Sequence, residues 1–374
     1  MKKHIFLLLL FFCQLYSFAQ TFKGVIINNE TNEPIGQITI VSADKTFFVT
    51  SNEKGEVILP ESMLNKKLFI SDYEYAYSEN TFTKTQSFFW ELTPNSETLE
   101  EMIIFDHPEI YLSGIIKNSI KSFVSNTKLE SYYRENYFEN KKQASFAEGI
   151  VDFYVNHNLE NIEMVVKQSR IKDLYNVNPT NRAVSSKPQD VIESSMLFSM
   201  LKKIIQDKKH YEFYITAKKV GEKTIHTFYV NPKEKSKAKH LFKGSVVFDD
   251  EKKLILETNF AFDPDRKKYN TPINKIIVKA DIKDIRFESK YMASEGIYYP
   301  SYAKRTIDAI ANSKLAKIDN ARVNNQAYFY VLSADKTTKR PSQNIIYNSG
   351  NLYNNGNKYT VEFWKNVKVI NLVE

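Results

Sequence analysis

Cysteine, glycine and tryptophan are scarce in this chain: one, ten and two residues among 374. The cysteine is Cys13, inside the apolar stretch near the start of the sequence. If that stretch is removed, no thiol remains, so disulfides and thiol catalysis drop out and stability must come from packed cores. No run of about 18 apolar residues occurs, which excludes a multi-span helical membrane protein. No fixed repeat and no sustained heptad excludes solenoids, collagen and coiled coils. Hydrophobic residues still make up 42% and aromatics 14%, enough apolar material to build real cores rather than a disordered chain.

Sequence signatures of chemistry are missing too. There is no G-x-S-x-G, H-E-x-x-H, phosphate-binding P-loop or G-x-G-x-x-G. His107, His157, His210, His226 and His240 never fall at metal-ligand spacing. Asp249-Asp250-Glu251 and Asp263-Pro264-Asp265 lack the alternating oxygens and bend glycine of a calcium loop and read as turns. No cofactor and no metal is expected.

The first 20 residues carry an address. Lys2 and Lys3 precede the apolar run Ile5 to Phe12, and Ser17-Phe18-Ala19 offers the small residues that a signal peptidase reads. Residues 1–19 are therefore expected to be a cleaved signal peptide, with a retained anchor as the alternative. Phe11 and Phe12 stand where a lipoprotein needs small residues, which argues against lipid attachment at Cys13. Export to the periplasm, with or without outer-membrane association, follows. The formal charge is +8, two less once Lys2 and Lys3 leave. Lysines are dispersed among acids, and Lys202-Lys203 with Lys208-Lys209 form only a short basic patch. That fits a solvated face, or peripheral attraction to anionic lipid or envelope polymer, and not nucleic acid.

Residues 22–104 read as short strands about ten residues apart, separated by polar turns, which is the pattern of a small β-sandwich. Gly55 suits a positive-φ position and Pro34 closes a turn ahead of Ile35. Gly24-Val25, Glu33-Pro34-Ile35, Ile38-Thr39-Ile40, Thr50-Ser51-Asn52, Gly55, Leu68-Phe69-Ile70-Ser71, Tyr75, Leu92, Leu99 and Glu101-Met102-Ile103-Ile104 follow in order. This series resembles the carboxypeptidase-regulatory-like domain of Bacteroidetes envelope proteins. Glu74 departs from it, standing where that family usually has glycine. The resemblance implies an Ig- or prealbumin-like sandwich that accompanies other domains and carries no catalytic zinc site.

Residues 105–374 form a second, larger region. Ile110, Leu112, Ile115, Ile116, Ile120 and Phe123 recur at helical spacing over Pro108 to Val124, and a second helix is expected over Asp190 to Ile205. Most of the rest alternates as strand, and Asn355-Gly356 marks a tight turn. The expected fold class is mainly β: the sandwich, then an α+β domain with a curved antiparallel sheet and one or two helices. That region is similar in outline to the half-barrel of periplasmic lipoprotein carriers.

Two tyrosine clusters are the candidate binding residues. Tyr132-Tyr133-Arg134-Glu135 could stack on a sugar or grip a carboxylate. Alternatively, alternate tyrosines pack on opposite faces while Arg134 pairs across strands. Tyr298, Tyr299 and Tyr302 flank Pro300 and could rim a cleft, or simply pack at a strand edge. The expected role is binding or assembly, with an envelope protein, glycan or lipid as partner; a carrier and a hydrolase with a scattered site stand as alternatives. A hydrolase calls for a polar pocket with two carboxylates or a His–acid pair, and a lipid carrier for a cleft lined by Phe, Leu and Ile.

Overall fold

A computed structural model describes residues 21–353, except 37, 44–47, 53, 71, 73, 85, 95–100, 124, 175–183, 221–222, 275–278, 295, 314–317, 338 and 349. The expected signal peptide, Leu99 and the Asn355-Gly356 turn lie outside the described residues. The chain forms two compact units, which part between 97 and 98.

The first unit is a β-sandwich. Its strands are β1 (Thr21–Asn28), β2 (Thr39–Ser42), β3 (Phe48–Thr50), β4 (Glu56–Pro60), β5 (Lys67–Ile70), β6 (Ser78–Thr81) and β7 (Phe88–Leu92). One sheet runs β4-β1-β7 and the other β3-β2-β5-β6. Alternate residues of both, among them Ile26, Leu59 and Trp90 from one and Ile40, Leu68 and Ile70 from the other, share one core. The Trp90 indole N–H donates to Ser78 Oγ at 2.8 Å, so the buried ring leaves no polar atom unanswered. Gly55 has φ 72°, as its turn requires. A side chain at Gly24 would stand 2.1 Å from the Phe88 ring, which lies directly over it.

The second unit is built on a twelve-stranded sheet. Its elements are β8 (Glu101–Ile103), α1 (Pro108–Ser122), β9 (Thr127–Glu139), β10 (Lys142–Val155), β11 (Glu163–Asp173), α2 (Pro188–Leu197), α3 (Ser199–Gln206), β12 (Tyr211–Val220), β13 (Lys223–Pro232), β14 (Phe242–Asp249), β15 (Leu254–Phe262), β16 (Ile273–Asn274), β17 (Lys279–Ser294), β18 (Ile297–Ser313) and β19 (Ile318–Lys336). The order is β11-β10-β9-β19-β18-β17-β15-β14-β13-β12-β8, with β16 beside β17. Each pairing in it is antiparallel. The protein is thus mainly β, with α and β segregated in the larger unit.

The helices cover one face of this sheet. Leu112, Ile115, Ile116 and Ser119 repeat at i, i+3, i+4 and i+7 on α1 and are buried. Pro108 opens that helix, and Ser119 Oγ accepts the backbone N–H of Ile255 at 3.0 Å. Val191, Ile192, Met196, Leu201 and Ile204 of α2 and α3 join Tyr133, Phe153, Phe228, Phe260 and Phe329 of the sheet in one core.

Two sequence expectations need correction. Glu101–Ile103 does not close the sandwich. It pairs with β12, Ile103 opposite the fully buried Ile215, and Phe105 next to it stacks on Tyr111 at 4.7 Å, so the edge of the large sheet claims this segment. The second helix is two helices, broken at Phe198, whose backbone is left-handed (φ 48°, ψ 40°). The buried Phe198 ring packs on Tyr291 at 5.3 Å and Phe123 at 6.0 Å. That burial offsets the roughly 1–2 kcal/mol that left-handed backbone costs a non-glycine residue. Phe198→Ala is expected to destabilise the protein by about 3–5 kcal/mol. Phe198→Gly should be no less stable than Phe198→Ala, because glycine relieves the strain. Urea unfolding of the two variants checks this, and a glycine variant clearly weaker than the alanine one would show that the strain is not there.

Candidate functional site

The Tyr132–Glu135 cluster sits in the middle of β9, and strand alternation divides it. Tyr133 and Glu135 face the helices. Glu135 is fully buried and accepts the backbone N–H of Ser186 at 2.8 Å and Asn325 Nδ2 at 2.7 Å. Tyr132 and Arg134 face the other way. Arg134 lies opposite Glu148 of β10, and Glu148 lies opposite Arg170 of β11. The Glu148 carboxylate, fully buried, receives the Tyr132 hydroxyl, Arg134 Nη1 at 3.3 Å and Arg170 Nε. Arg134 also donates to Asn136 Oδ1 at 2.8 Å and lies 4.5 Å from the Phe146 ring centre. The carboxylate that Arg134 grips therefore belongs to the protein itself.

Pro300 divides the second cluster. The β17–β18 register shifts between the pairs Tyr291–Pro300 and Lys290–Tyr302, an extra residue that turns the later side chains over. Tyr298 points under α1, stacks on Phe123 at 4.7 Å and donates to the Ile255 carbonyl at 2.7 Å. Tyr302 is on the opposite face, in a row with Tyr330 and Tyr132 across β18, β19 and β9. Tyr302 and Tyr330 are 4.8 Å apart, and all three are less than a tenth exposed, so they offer no open ring face for a sugar. Tyr299 is partly exposed, its hydroxyl 3.6 Å from Met292 Sδ.

The structure instead opens a cavity of about 430 Å³ between α2–α3 and strands β14, β15, β17 and β18. On the sheet side it is walled by Phe242, Phe260, Phe287 and Tyr291, and on the helix side by Phe198, Met200 and Leu201. Residues 287, 289 and 291 line it together because alternate strand residues share a face. The hydroxyls in the wall are largely occupied: Ser195 Oγ donates to the Ile192 carbonyl at 2.7 Å, and the Tyr291 hydroxyl to the Ser195 carbonyl at 2.8 Å. Burial pushes the Tyr291 phenol far up, so it stays neutral. Three charged residues border the space. Asp190 and Lys203 are exposed at its rim, and Arg305 of β18 reaches it from the sheet. None of these residues belongs to the two sequence clusters. A signal was present all the same: Arg305 falls in phase with Ala303 and Ile307, on the apolar side of an alternating strand.

A His–acid pair exists elsewhere, where α1 meets the β14–β15 turn. His226 Nδ1 lies 3.4 Å from Asp250 Oδ1, and Asp250 also takes the Tyr111 hydroxyl and Lys253. Burial holds His226 below its ordinary range, with Asp250 opposing only in part. Burial likewise raises Asp250, but the bonds from Lys253 and Tyr111 outweigh it and the net shift is downward. This pair does not line the cavity. Among the described residues no three His, Cys, Asp or Glu side chains converge on a common point, and no helix is long and apolar enough to cross a membrane.

No family model and no curated protein matches the chain. Among solved structures, it is similar to a DUF1329-family protein of Desulfovibrio piger at 8% identity and TM-score 0.26, over 63% of this chain and 95% of that one. A LolA-superfamily protein of Nitrosomonas europaea gives 8% identity and TM-score 0.25, over 62% and 96%. A protein of Bacteroides uniformis described as carbohydrate-binding gives 7% and 0.18, over 41% and 98%. Identities this low transfer no ligand.

Two outcomes test the electrostatics. Glu148→Gln leaves two guanidinium groups facing a neutral amide and is expected to cost about 3–5 kcal/mol. Arg170→Met should cost less, since its side chain is one-third exposed. Denaturant unfolding ranks the two, and equal losses would contradict the burial argument. Because His226 is depressed in the folded state, the unfolded chain binds more protons just below the ordinary histidine range, and stability falls as pH drops from about 7 to 5. His240, depressed by burial and by Lys203 and Lys239, adds to the same slope. His226→Asn should flatten the stability profile over that interval, and an unchanged slope would remove His226 as its source.

Proposed function

We propose that this chain is an exported binding protein of the cell envelope whose larger unit holds a lipid-like amphiphile between α2–α3 and the sheet. The observation that carries the reading is the cavity wall: Phe, Leu, Met and Tyr side chains around about 430 Å³, within the size range of small-molecule sites. These large apolar side chains favour apolar surface, while Ser194, Ser195, Ser199, Thr258 and Ser289 also border the space. A hydrolase needs acid and base side chains around a reacting bond, whereas here the one carboxylate at the cavity stands on its rim. The positive leader, the apolar run and Ala19 support export.

The sandwich of the first unit is read as an accessory module that addresses an envelope partner, in keeping with its resemblance to carboxypeptidase-regulatory-like domains. The tyrosine clusters enter this reading as framework: Tyr133 and Tyr298 support the helix layer, while Tyr132, Arg134 and Tyr302 hold the opposite face together.

Met200→Trp places a larger ring at the partly exposed cavity wall without replacing a fully buried side chain. It is expected to weaken binding of the fluorescent apolar probe N-phenyl-1-naphthylamine at least about tenfold, with stability changed by no more than about 1 kcal/mol. Fluorescence titration of wild type and variant decides it. If the wild-type protein does not enhance the probe, or both proteins bind it equally, the cavity is not an amphiphile site.

A further inference from the structure

Among the described residues, Arg305 is the one charged side chain that reaches the cavity from the sheet instead of its rim. In register it lies between Phe287 of β17 and Ala327 of β19, and the next inward residue beyond Ala327 is Glu135 of β9. Its guanidinium carbon is 5.8 Å from the Phe287 ring centre. Its Nε is buried and meets no acceptor, and the guanidinium forms no ion pair within the described residues. Burial lowers its pKa, opposed by the charges of Asp190 and Glu135, and a guanidinium remains protonated under such a shift.

Within the described residues no hydrogen bond or ion pair joins it to the nearby acids, which act on it only at longer range. Glu135 lies two strands away in backbone register with Ala327 between, makes no ion pair with Arg305, and has Oε1 engaged with Ser186 N–H and Asn325. Asp190 is exposed at the rim. The side chain of Arg305 is only partly exposed, and its Nε is cut off from water without an acceptor, a loss that a bound acceptor would make good. The donors of this fork match a planar carboxylate two at a time.

We infer that Arg305 anchors the carboxylate of a single-headed amphiphile, such as a long-chain fatty acid, whose hydrocarbon fills the cavity between α2–α3 and the sheet. This rests on the amphiphile reading above and adds the headgroup to it. The charge balance selects a monoanion: one interior cation is matched by one carboxylate. A phosphate monoester, carrying up to two charges, would need a second interior cation, and Lys203 is exposed at the rim.

The test uses the full mature chain, a fluorescent polyene fatty acid, its methyl ester and an alkyl phosphate monoester of the same chain length. Wild type is expected to bind the acid at least about tenfold more tightly than the ester. Arg305→Met, of similar reach but uncharged, should bind both at the ester's affinity, and Arg305→Lys should keep part of the preference. Without ligand, Arg305→Met should also melt at a higher temperature than wild type, because it removes a partly buried charge that has no ion pair within the described residues.

Equal binding of acid and ester by wild type, or a preference that survives Arg305→Met, overturns the anchor while leaving the amphiphile reading intact. Tighter binding of the alkyl phosphate than of the acid overturns the carboxylate assignment. A lower melting temperature for Arg305→Met makes Arg305 a structural counter-charge to Glu135 and also overturns the anchor. Failure of wild type to bind any of the three ligands removes the amphiphile reading and this one with it.

Discussion

The larger unit depends on one long-range pairing, that of β9 with β19. Thr127 to Glu139 lies antiparallel to Val323 to Lys336, almost two hundred residues later in the chain. Because β19 also pairs with β18, this contact joins the early strands β9–β11 to the late strands β14–β18 in one sheet. Its inward row runs Glu135, Ala327, Arg305, Phe287, Phe260 and Gly244 across six strands. A one-residue slip at the β9–β19 seam would put Arg134 where Glu135 stands and turn the inner face of β9 outward. Loop closure of this length is slow to form, so the site is expected to assemble late in folding.

Small residues in that row help make room. Ala327 beside Arg305 gives the guanidinium space that a larger side chain would occupy. A side chain at Gly244 would meet the Asn259 carbonyl oxygen at 2.0 Å, so only glycine lets β14 approach β15 so closely beside Phe260. On the helix side, the break at Phe198 lets α2 and α3 point separately, and residues of both line the space. The cavity is thus a consequence of where side chains are withheld as much as of where they are placed.

Much of the architecture was legible because periodicity is a local property. The alternation around Tyr132–Phe138 marks a strand, and the helical spacing of Leu112, Ile115 and Ile116 declares which face of α1 is buried. The β-sandwich strands were visible between turn residues for the same reason. What was not legible depends on partners distant in sequence. Glu101–Ile103 could close a sandwich or join another sheet, and only Ile215 decides. Tyr298 and Tyr302 have the spacing of strand neighbours on one face, and the extra residue at Pro300–Ser301, set by the register with β17, sends them to opposite sides. The left-handed backbone at Phe198 follows from the Tyr291 and Phe123 rings, which no helical period could announce. Arg305 sits beside Lys304 as an ordinary basic pair, and its inward position shows only once Ala303 and Ile307 are read with it.

The two faces of the sheet answer the same electrostatic problem in opposite ways. On the outer face, a buried carboxylate, Glu148, is met by two arginines and a tyrosine, so each charge has its partner within the fold. That arrangement is self-sufficient: adding a ligand there would require breaking bonds the protein already makes. On the inner face, Arg305 has a buried Nε without an acceptor and a cavity in front of it. A fold able to satisfy a buried cation as fully as it does at Arg134 leaves the partly exposed Arg305, two strands away, with a buried Nε that nothing accepts. Stability is given up at binding sites when the missing interaction is supplied by what binds. The cluster with the stronger look of a site in the sequence is thus satisfied within the fold, and the arginine beside the cavity is where the proposed ligand would supply a missing partner.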